Sequence, residues 1–547
     1  MNSKIMTFKL ITGALIFLMC LGCSGNKINN SSPAAPKNLS RPENFTPFRY
    51  EYSLDQLKKN FSEEIMKKAA IQFQNIAEVN KNGKWKPTAE SIDSHQTPEW
   101  LLDAKFGMFI DWGPWSVAGY APIKAGVAAY PDWYERFMYG ETGFRTYHEK
   151  NWGKDFERDD FLPLFTAKDY NPEMLVKVAA EAGMKYIIPF SKHHGGFCLW
   201  PSAYTHRNAL KMGPGKDLIK PLVDNCKEAG LKFGFYFSVE EYEYPIIGND
   251  GKLEAKLWFS PWEHKTEITP DKMERIASGK IPVKNYYRDY SVPQATEFID
   301  QYDPDILWYD GEWLTSVNDL LTYDIISYFY NKAEGRKEVA VNDRIGLENG
   351  ESLRFRRGDI FTSEYHNNAD KINEHPWEEN RGISQSFGYN WQDTDSSVIS
   401  TKDFINMFVD IVSKGGNLLL IVNLDGQGAL PKTQENRLLE IGKWLKVNGE
   451  GIYGTRMNKI KSEGIVKYTR SKDNKKVFAI ATEWPGKQLN LKSVTPRAGS
   501  SIHILGSKET IKWKYSKNEG LIIDIPESLQ NEANRPFGIA YTFEIEI

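Results

Sequence analysis

Asp310 is the residue of this chain most plainly placed to do chemistry. It lies in Leu307-Trp308-Tyr309-Asp310-Gly311-Glu312-Trp313, where a run of buried-strand character from Asp305 to Trp308 stops in a carboxylate, a glycine and flanking indoles. A strand tip holds a reactive group rigidly, and a following glycine lets a substrate come close. Carboxylates among aromatic rings make a sugar site: rings pack on the C–H faces of a pyranose, and carboxyl groups act as acid, base or nucleophile. A single segment of this kind also suits a helix-capping aspartate, so its weight comes from the pattern around it.

That pattern begins near Thr97. Short apolar runs recur at Lys105–Ile110, Lys185–Phe190, Leu231–Phe237, Asp305–Trp308, Glu338–Val341, Asp359–Thr362, Ser384–Gly388 and Asn417–Val422. Longer stretches separate them, and two of these end in the helix-then-glycine signals Glu181-Ala182-Gly183 and Glu228-Ala229-Gly230. Strand and crossover repeated eight times predict an α/β fold, a (β/α)8 TIM-like barrel. Each run is followed by polar residues able to do chemistry: Asp111-Trp112, Lys192-His193-His194, Ser238, Asp310, Asp343-Arg344, Glu364, Tyr389-Asn390 and Asn423. A barrel of this class carries its site at the C-terminal ends of its strands, and a packed core would not need such residues there.

Beyond about Tyr453 the rhythm changes to close alternation, as in Lys476-Val477-Phe478-Ala479-Ile480 and Leu521-Ile522-Ile523-Asp524-Ile525, which predicts a C-terminal β-sandwich. Its expected role is to cover and stabilise the barrel. Leu54, Leu57, Phe61, Ile65, Ala69 and Ile71 recur at helical spacing and predict an amphipathic helix over residues 53–80, docked on the barrel. Before it, Lys4 and Lys9 precede an apolar stretch from Leu10 to Cys20 that is short for a membrane span and ends in Leu21-Gly22-Cys23. This resembles a bacterial lipoprotein leader, cleaved before Cys23 with lipid on its sulfur. Export to a bacterial outer membrane is then expected, with Cys23 as the sole membrane contact and residues 24–44 as a tether rich in Ser, Asn, Pro and Lys. The expected divisions are a leader over 1–23, tether and helical segment over 24–96, barrel over 97–453 and sandwich over 454–547.

The net charge of -3 gives no nucleic-acid footprint. Besides Cys23 the mature chain keeps only Cys198 and Cys226, which are expected to be buried thiols rather than a disulfide framework. No cysteine or histidine spacing suits a metal, and no cofactor is expected. The His193-His194 pair could be a structural turn or a metal site, but adjacent histidines lack a supporting third ligand. Neutral imidazoles that donate to and accept from sugar hydroxyls suit the pair better.

The motifs of residues 100–453 resemble those of glycoside hydrolase family 29, the retaining α-L-fucosidases. They are Lys105-Phe106-Gly107-Met108-Phe109-Ile110-Asp111-Trp112-Gly113-Pro114, Trp133-Tyr134, Lys192-His193-His194-Gly195-Gly196-Phe197-Cys198-Leu199-Trp200-Pro201-Ser202 and Leu307-Trp308-Tyr309-Asp310-Gly311. Val341-Asn342-Asp343-Arg344, Ser363-Glu364-Tyr365, Ser386-Phe387-Gly388-Tyr389-Asn390 and Ser413-Lys414-Gly415-Gly416-Asn417 follow in the family's order. The resemblance implies Asp310 as nucleophile and Glu364 as acid/base. It also implies that Trp133, His193, His194, Tyr236, Trp308, Arg344 and Phe387 line the sugar pocket, and that the partner is an oligosaccharide or polysaccharide. The other class of function open to the chain is a glycan-binding surface protein whose barrel has lost catalysis; retention of both Asp310 and Glu364 speaks against it.

Three positions depart from the family's pattern. Asp111 stands where the family usually has histidine, Asp132 where it has glutamate, and Gly195 where it has aspartate. The first two positions contact sugar in the family. L-Fucose is L-galactose without its C6 hydroxyl, so a pocket that gains room and an acceptor at Asp111 could welcome that hydroxyl, and terminal α-L-galactose becomes a second expected substrate beside α-L-fucose.

Overall fold

The computed structural model describes residues 35–124, 126–140, 142–261, 269–365 and 375–547. The expected leader and the lipidation site Cys23 lie outside the described residues. Among those described, no helix is long and apolar enough to cross a membrane.

Eight parallel strands form one sheet in chain order: β1 (Phe106–Asp111), β2 (Tyr186–Lys192), β3 (Lys232–Ser238), β4 (Ile306–Asp310), β5 (Ala340–Val341), β6 (Phe361–Glu364), β7 (Trp377–Gly382) and β8 (Gly416–Asn423). β8 pairs back onto β1 with Phe106 opposite Leu418. The remaining edges meet through a single parallel bridge, Asn342 to Ile360, which closes the barrel. β5 is only two residues long, and side chains stand in for the missing ladder at this seam. Asp359 Oδ2 accepts from the Val341 amide (2.8 Å), and Asp343 Oδ1 accepts from the amide and hydroxyl of Thr362 (3.0 and 2.7 Å).

Seven of the eight strands fall on the apolar runs expected from sequence. The seventh does not: Ser384–Gly388 is a loop, and the strand is Trp377-Glu378-Glu379-Asn380-Arg381-Gly382. Its polar sequence is buried because the barrel interior offers partners. Glu378 accepts from the Trp308 indole (3.2 Å) and from the Tyr186 hydroxyl, and burial pushes its carboxyl up to about 7. Phe109, Phe190, Tyr236 and Trp308 fill the layer above, with Phe190 stacked on Tyr236 at 3.9 Å, and make the floor of the site.

The N-terminal helix, α1 (Leu54–Asn82), is capped by Ser53 and Gln56, each side chain bonded to the other's backbone amide. Its buried face is Leu54, Leu57, Ile65, Ala69 and Ile76, whereas Ile71 points to solvent. Ser62, Asn75 and Asn80 hydrogen-bond Pro282, Tyr328 and Asp324, strapping the helix across the outside of the barrel. The C-terminal region is all β: a five-stranded antiparallel sheet faces a three-stranded one over an apolar core that includes Tyr468, Leu491, Ile523 and Phe543. It meets the barrel through Trp444, whose indole donates to the Ala540 carbonyl (3.2 Å), and through the Arg456 pairs with Glu99 and Asp103. Cys198 and Cys226 are free and buried.

Candidate active site

Asp310 is the last residue of β4 and Glu364 the last of β6, so both side chains leave the C-terminal rim on either side of β5. Arg344, three residues past β5, lies between them. Its Nη1 donates to Asp310 Oδ1 (2.8 Å) and its Nη2 to Glu364 Oε2 (2.9 Å), while the guanidinium rests over the Trp308 ring (4.8 Å). Tyr236 donates to the other oxygen of Asp310 (2.9 Å). Burial alone would raise the Asp310 carboxyl, but the charge of Arg344 and these hydrogen bonds outweigh it and hold the group below the usual carboxylate range. Asp310 is therefore ionised, anchored on both oxygens and largely enclosed.

Gly311 follows with φ +82°, and a Cβ there would sit 2.9 Å from His194 Cε1 and 3.1 Å from Ser238 Oγ. The sequence suggested that this glycine clears a path for substrate; the space is instead filled by His194, and the glycine lets the imidazole pack beside the carboxylate. Ser238 gives its proton to the Glu240 carbonyl, so the His194 Nδ1 that faces Ser238 Oγ must itself be a donor. His194 Nε2 is then a bare acceptor, 3.7 Å from Asp310 Oδ2. Burial lowers the imidazole to about 4 and it is neutral.

His193 is likewise held neutral by burial and by its neighbour, with Nε2 at 3.6 Å from Asp132 Oδ2. Asp132 is pushed well above its ordinary range, first by burial and then by the charges of Asp111 and Glu364. Asp111, at the tip of β1, accepts from the Trp115 indole through Oδ1 (2.9 Å), and burial raises it to about 7. One polar atom on each of these four side chains (Asp111 Oδ2, Asp132 Oδ1, His193 Nδ1 and His194 Nε2) is buried without a protein hydrogen-bond partner. Buried polar atoms are nearly always paired, so four such atoms on neighbouring side chains leave hydrogen-bonding capacity that a ligand could satisfy.

The aromatic residues expected from sequence divide by depth. Trp133 is half-buried beside His194 (5.1 Å) and stacks on Trp313 (6.0 Å), at the edge of the site. Phe387 stacks on Tyr130 (5.6 Å) and forms the opposite wall, on a loop pinned by the Phe387 amide to the Ala129 carbonyl and by Asn423. Trp308, two residues before Asp310 on the same inward face of β4, lies one layer lower as floor. Sequence reasoning missed Tyr130, which donates to Glu364 Oε1 (3.0 Å), and Glu312, a buried carboxyl raised to about 8 by burial and by the charge of Asp310. Both come from loops, where no periodicity marks them. Tyr365, directly after Glu364, holds φ +56°, a left-handed conformation that is costly for a tyrosine and turns the chain sharply away from the carboxyl.

Among the described residues, no group of three or more His, Cys, Asp or Glu side chains is arranged to hold a metal ion. A cleft of about 550 Å³ lies next to the site and does not contain Asp310 or Glu364. Its lining includes Trp258 and Leu314, the chain neighbours of Phe259 and Trp313, which themselves pack against His194. The carboxyl pair, rather than this cleft, defines the chemistry.

Residues 72–450 match the family model described as alpha-L-fucosidase, and residues 459–546 match the alpha-L-fucosidase C-terminal domain. An alpha-L-fucosidase of Dictyostelium discoideum is 30% identical over 75% of this chain and 83% of its own length. The tissue alpha-L-fucosidase of Rattus norvegicus is 28% identical over 81% of this chain and 88% of its own. Among solved structures, an alpha-fucosidase of Thermotoga maritima in complex with fucose superposes with a TM-score of 0.66 at 33% identity, covering 84% of this chain and all of that one (100%).

Proposed function

The chain belongs to the α-L-fucosidase family of glycoside hydrolases, and from that premise we propose that it is a retaining exo-glycosidase releasing a terminal α-L-sugar. The observation that carries the reading is the single guanidinium of Arg344 hydrogen-bonded to both carboxyl groups. A guanidinium is narrow, so two carboxyls bonded to it lie close together. That favours the ~5–5.5 Å separation of retaining glycosidases over the ~6.5–9.5 Å that leaves room for water in inverting ones.

In the proposed first step, the ionised Asp310 attacks the anomeric carbon while protonated Glu364 gives its proton to the departing glycosidic oxygen. A covalent glycosyl-enzyme and a free alcohol result. In the second, Glu364 takes a proton from water, the oxygen attacks the same carbon, and Asp310 leaves as carboxylate. The neutral imidazoles and Asp132 bind ring hydroxyls, and the Trp133 and Phe387 rings supply apolar contact to the C–H faces. Turnover of an aryl α-L-fucoside by the wild-type enzyme, with the anomer of the first product read by NMR, tests this. A β-anomer would mean inversion, and binding without hydrolysis would leave a glycan-binding barrel.

Tyr130 donates to Glu364 Oε1, a bond that stabilises the carboxylate left when Glu364 gives up its proton. Tyr130→Phe is expected to slow substrates with poor leaving groups about tenfold, while aryl glycosides with acidic phenols, which need little protonation, change little. Equal loss on both would separate Tyr130 from proton donation.

Asp111 favours a second sugar. Its Oδ2 is buried without a protein partner, in a carboxyl whose pKa near neutrality lets it donate or accept. An unpaired buried carboxyl is costly against the C5 methyl of fucose and satisfied by the extra hydroxyl of L-galactose. On this reading kcat/KM for aryl α-L-galactoside exceeds that for the fucoside by at least ~10-fold, and Asp111→His reverses the order. A fucose preference that Asp111→His leaves unchanged would remove the galactose reading.

A further inference from the structure

The His193-His194 turn continues into Gly195 and Gly196, and each glycine lies directly against a buried carboxylate. A Cβ on Gly195 would overlap Glu135 Oε2, and a Cβ on Gly196 would overlap Glu241 Oε2. Glu241 is paired with Lys280 (2.8 Å) and Lys192 (3.3 Å). Glu135, 1% exposed, has no hydrogen-bond donor on either oxygen. It faces Arg158, Arg207 and Lys280, whose charges oppose the rise that burial imposes on its carboxyl. Arg207 in turn donates through Nε to the Gly195 carbonyl (3.0 Å) and pairs with Asp159 (2.9 Å).

Glu135 belongs to the short helix Tyr134–Phe137, immediately after Asp132 and Trp133. One side chain thus links the segment carrying Asp132 and Trp133 to the turn carrying both histidines, through contact with Gly195 and through the field it shares with Arg207. A structural filler at this depth would be apolar, because a buried carboxyl with no donor on either oxygen is costly. The chain keeps a carboxylate there and keeps the facing residue without a side chain.

We propose that Glu135 is a positioning residue that holds the Asp132–Trp133 segment and the His193–His194 turn in register for sugar binding, with Gly195 left bare to admit it. The proposal rests on the glycosidase reading and names the device that aligns its sugar-binding side chains. It also accounts for the glycine at 195, where the family's pattern has aspartate: the carboxylate that occupies this space comes from position 135 instead. All three atoms nearest to a Cβ at 195 belong to Glu135, and Gly195 has no positive φ, so removing Glu135 opens room for a side chain there.

A transplant tests this on the full chain. Glu135→Gln keeps the shape and removes the charge; KM for an aryl α-L-fucoside should rise at least about tenfold, because misplacing binding groups by a fraction of an ångström is that costly. Glu135→Ala should lose more, and Gly195→Asp alone should be as poor. The double variant Glu135→Ala/Gly195→Asp puts a carboxylate back against Arg207 from the opposite side and should recover KM to within a few-fold of wild type. Binding of L-fucose, followed by tryptophan fluorescence, should track KM through the series. The proposal is overturned if Glu135→Gln keeps the wild-type KM, or if the double variant is no better than Glu135→Ala. An inactive wild-type enzyme would instead count against the glycosidase reading itself.

Discussion

Asp310→Gly is expected to lower kcat on an aryl α-L-fucoside by about 10⁴-fold, and sodium azide is expected to restore turnover by forming the β-linked glycosyl azide. The size follows from removing a nucleophile that other groups only assist. The stereochemistry follows from geometry: a small anion in the space left by the carboxylate attacks the anomeric carbon from the side that Asp310 occupied, in one displacement, and inverts it once. Asp310 makes its two strong contacts, to Arg344 and Tyr236, through its own oxygens, so glycine leaves these donors facing the entering anion. Product analysis by NMR is the check. Near-wild-type turnover without azide, or an α-linked azide, would reassign the nucleophile.

The second large effect is expected at Arg344. Arg344→Met keeps most of the packing over Trp308 but strips the counter-charge from two carboxyls at once. Leaving one partner of a buried ion pair alone costs about 3–5 kcal/mol of stability, and losing a preorganised charge beside the reacting carboxylate should lower kcat/KM by ~10³-fold. The pH dependence has a definite sign. Folding lowers the Asp310 carboxyl, so the stability from its ion pair is fully present above the ordinary carboxylate range and is lost as pH falls through the depressed folded value. Without Arg344, burial is the largest remaining influence and it raises the group. The acidic limb of kcat/KM should therefore move to higher pH in Arg344→Met, and the gap in stability between variant and wild type should narrow in acid. Denaturant melts across pH and the pH–rate profile measure both. An acidic limb that stays in place would show that Asp310 owes its charge to something other than Arg344.

Much of this architecture could be read from residue order because burial on both faces gives parallel strands an unmistakable apolar signature. Phe106–Asp111, Tyr186–Lys192 and Gly416–Asn423 are examples. Trp377–Gly382 escaped because its inward residues are polar and satisfied only by partners distant in sequence, such as Tyr186 and Trp308. In the sandwich, Thr455–Glu463 shows no alternation because only its first residue is buried. The site divides in the same way. Asp111, His193, His194, Asp310 and Glu364 stand at or just beyond strand ends, where position alone suggests chemistry. Tyr130, Glu312 and Glu135 acquire meaning only when loops from separate crossovers are brought together, and Ile71, placed on the buried face by helical spacing, proves to lie outside it.

The shortest strand of the barrel, Ala340–Val341, leads into the seam with the strand that follows it, which one backbone bridge and a set of aspartate contacts close. The arginine that grips both reacting carboxyls hangs from this same stretch. A change to Asp343 or Asp359 would therefore disturb container and catalyst together, whereas the fully laddered wall of Phe106–Asp111 and Gly416–Asn423 insulates its own rim from such coupling. The rim on the laddered side, where Asp111 stands, can therefore change with the least disturbance to the seam.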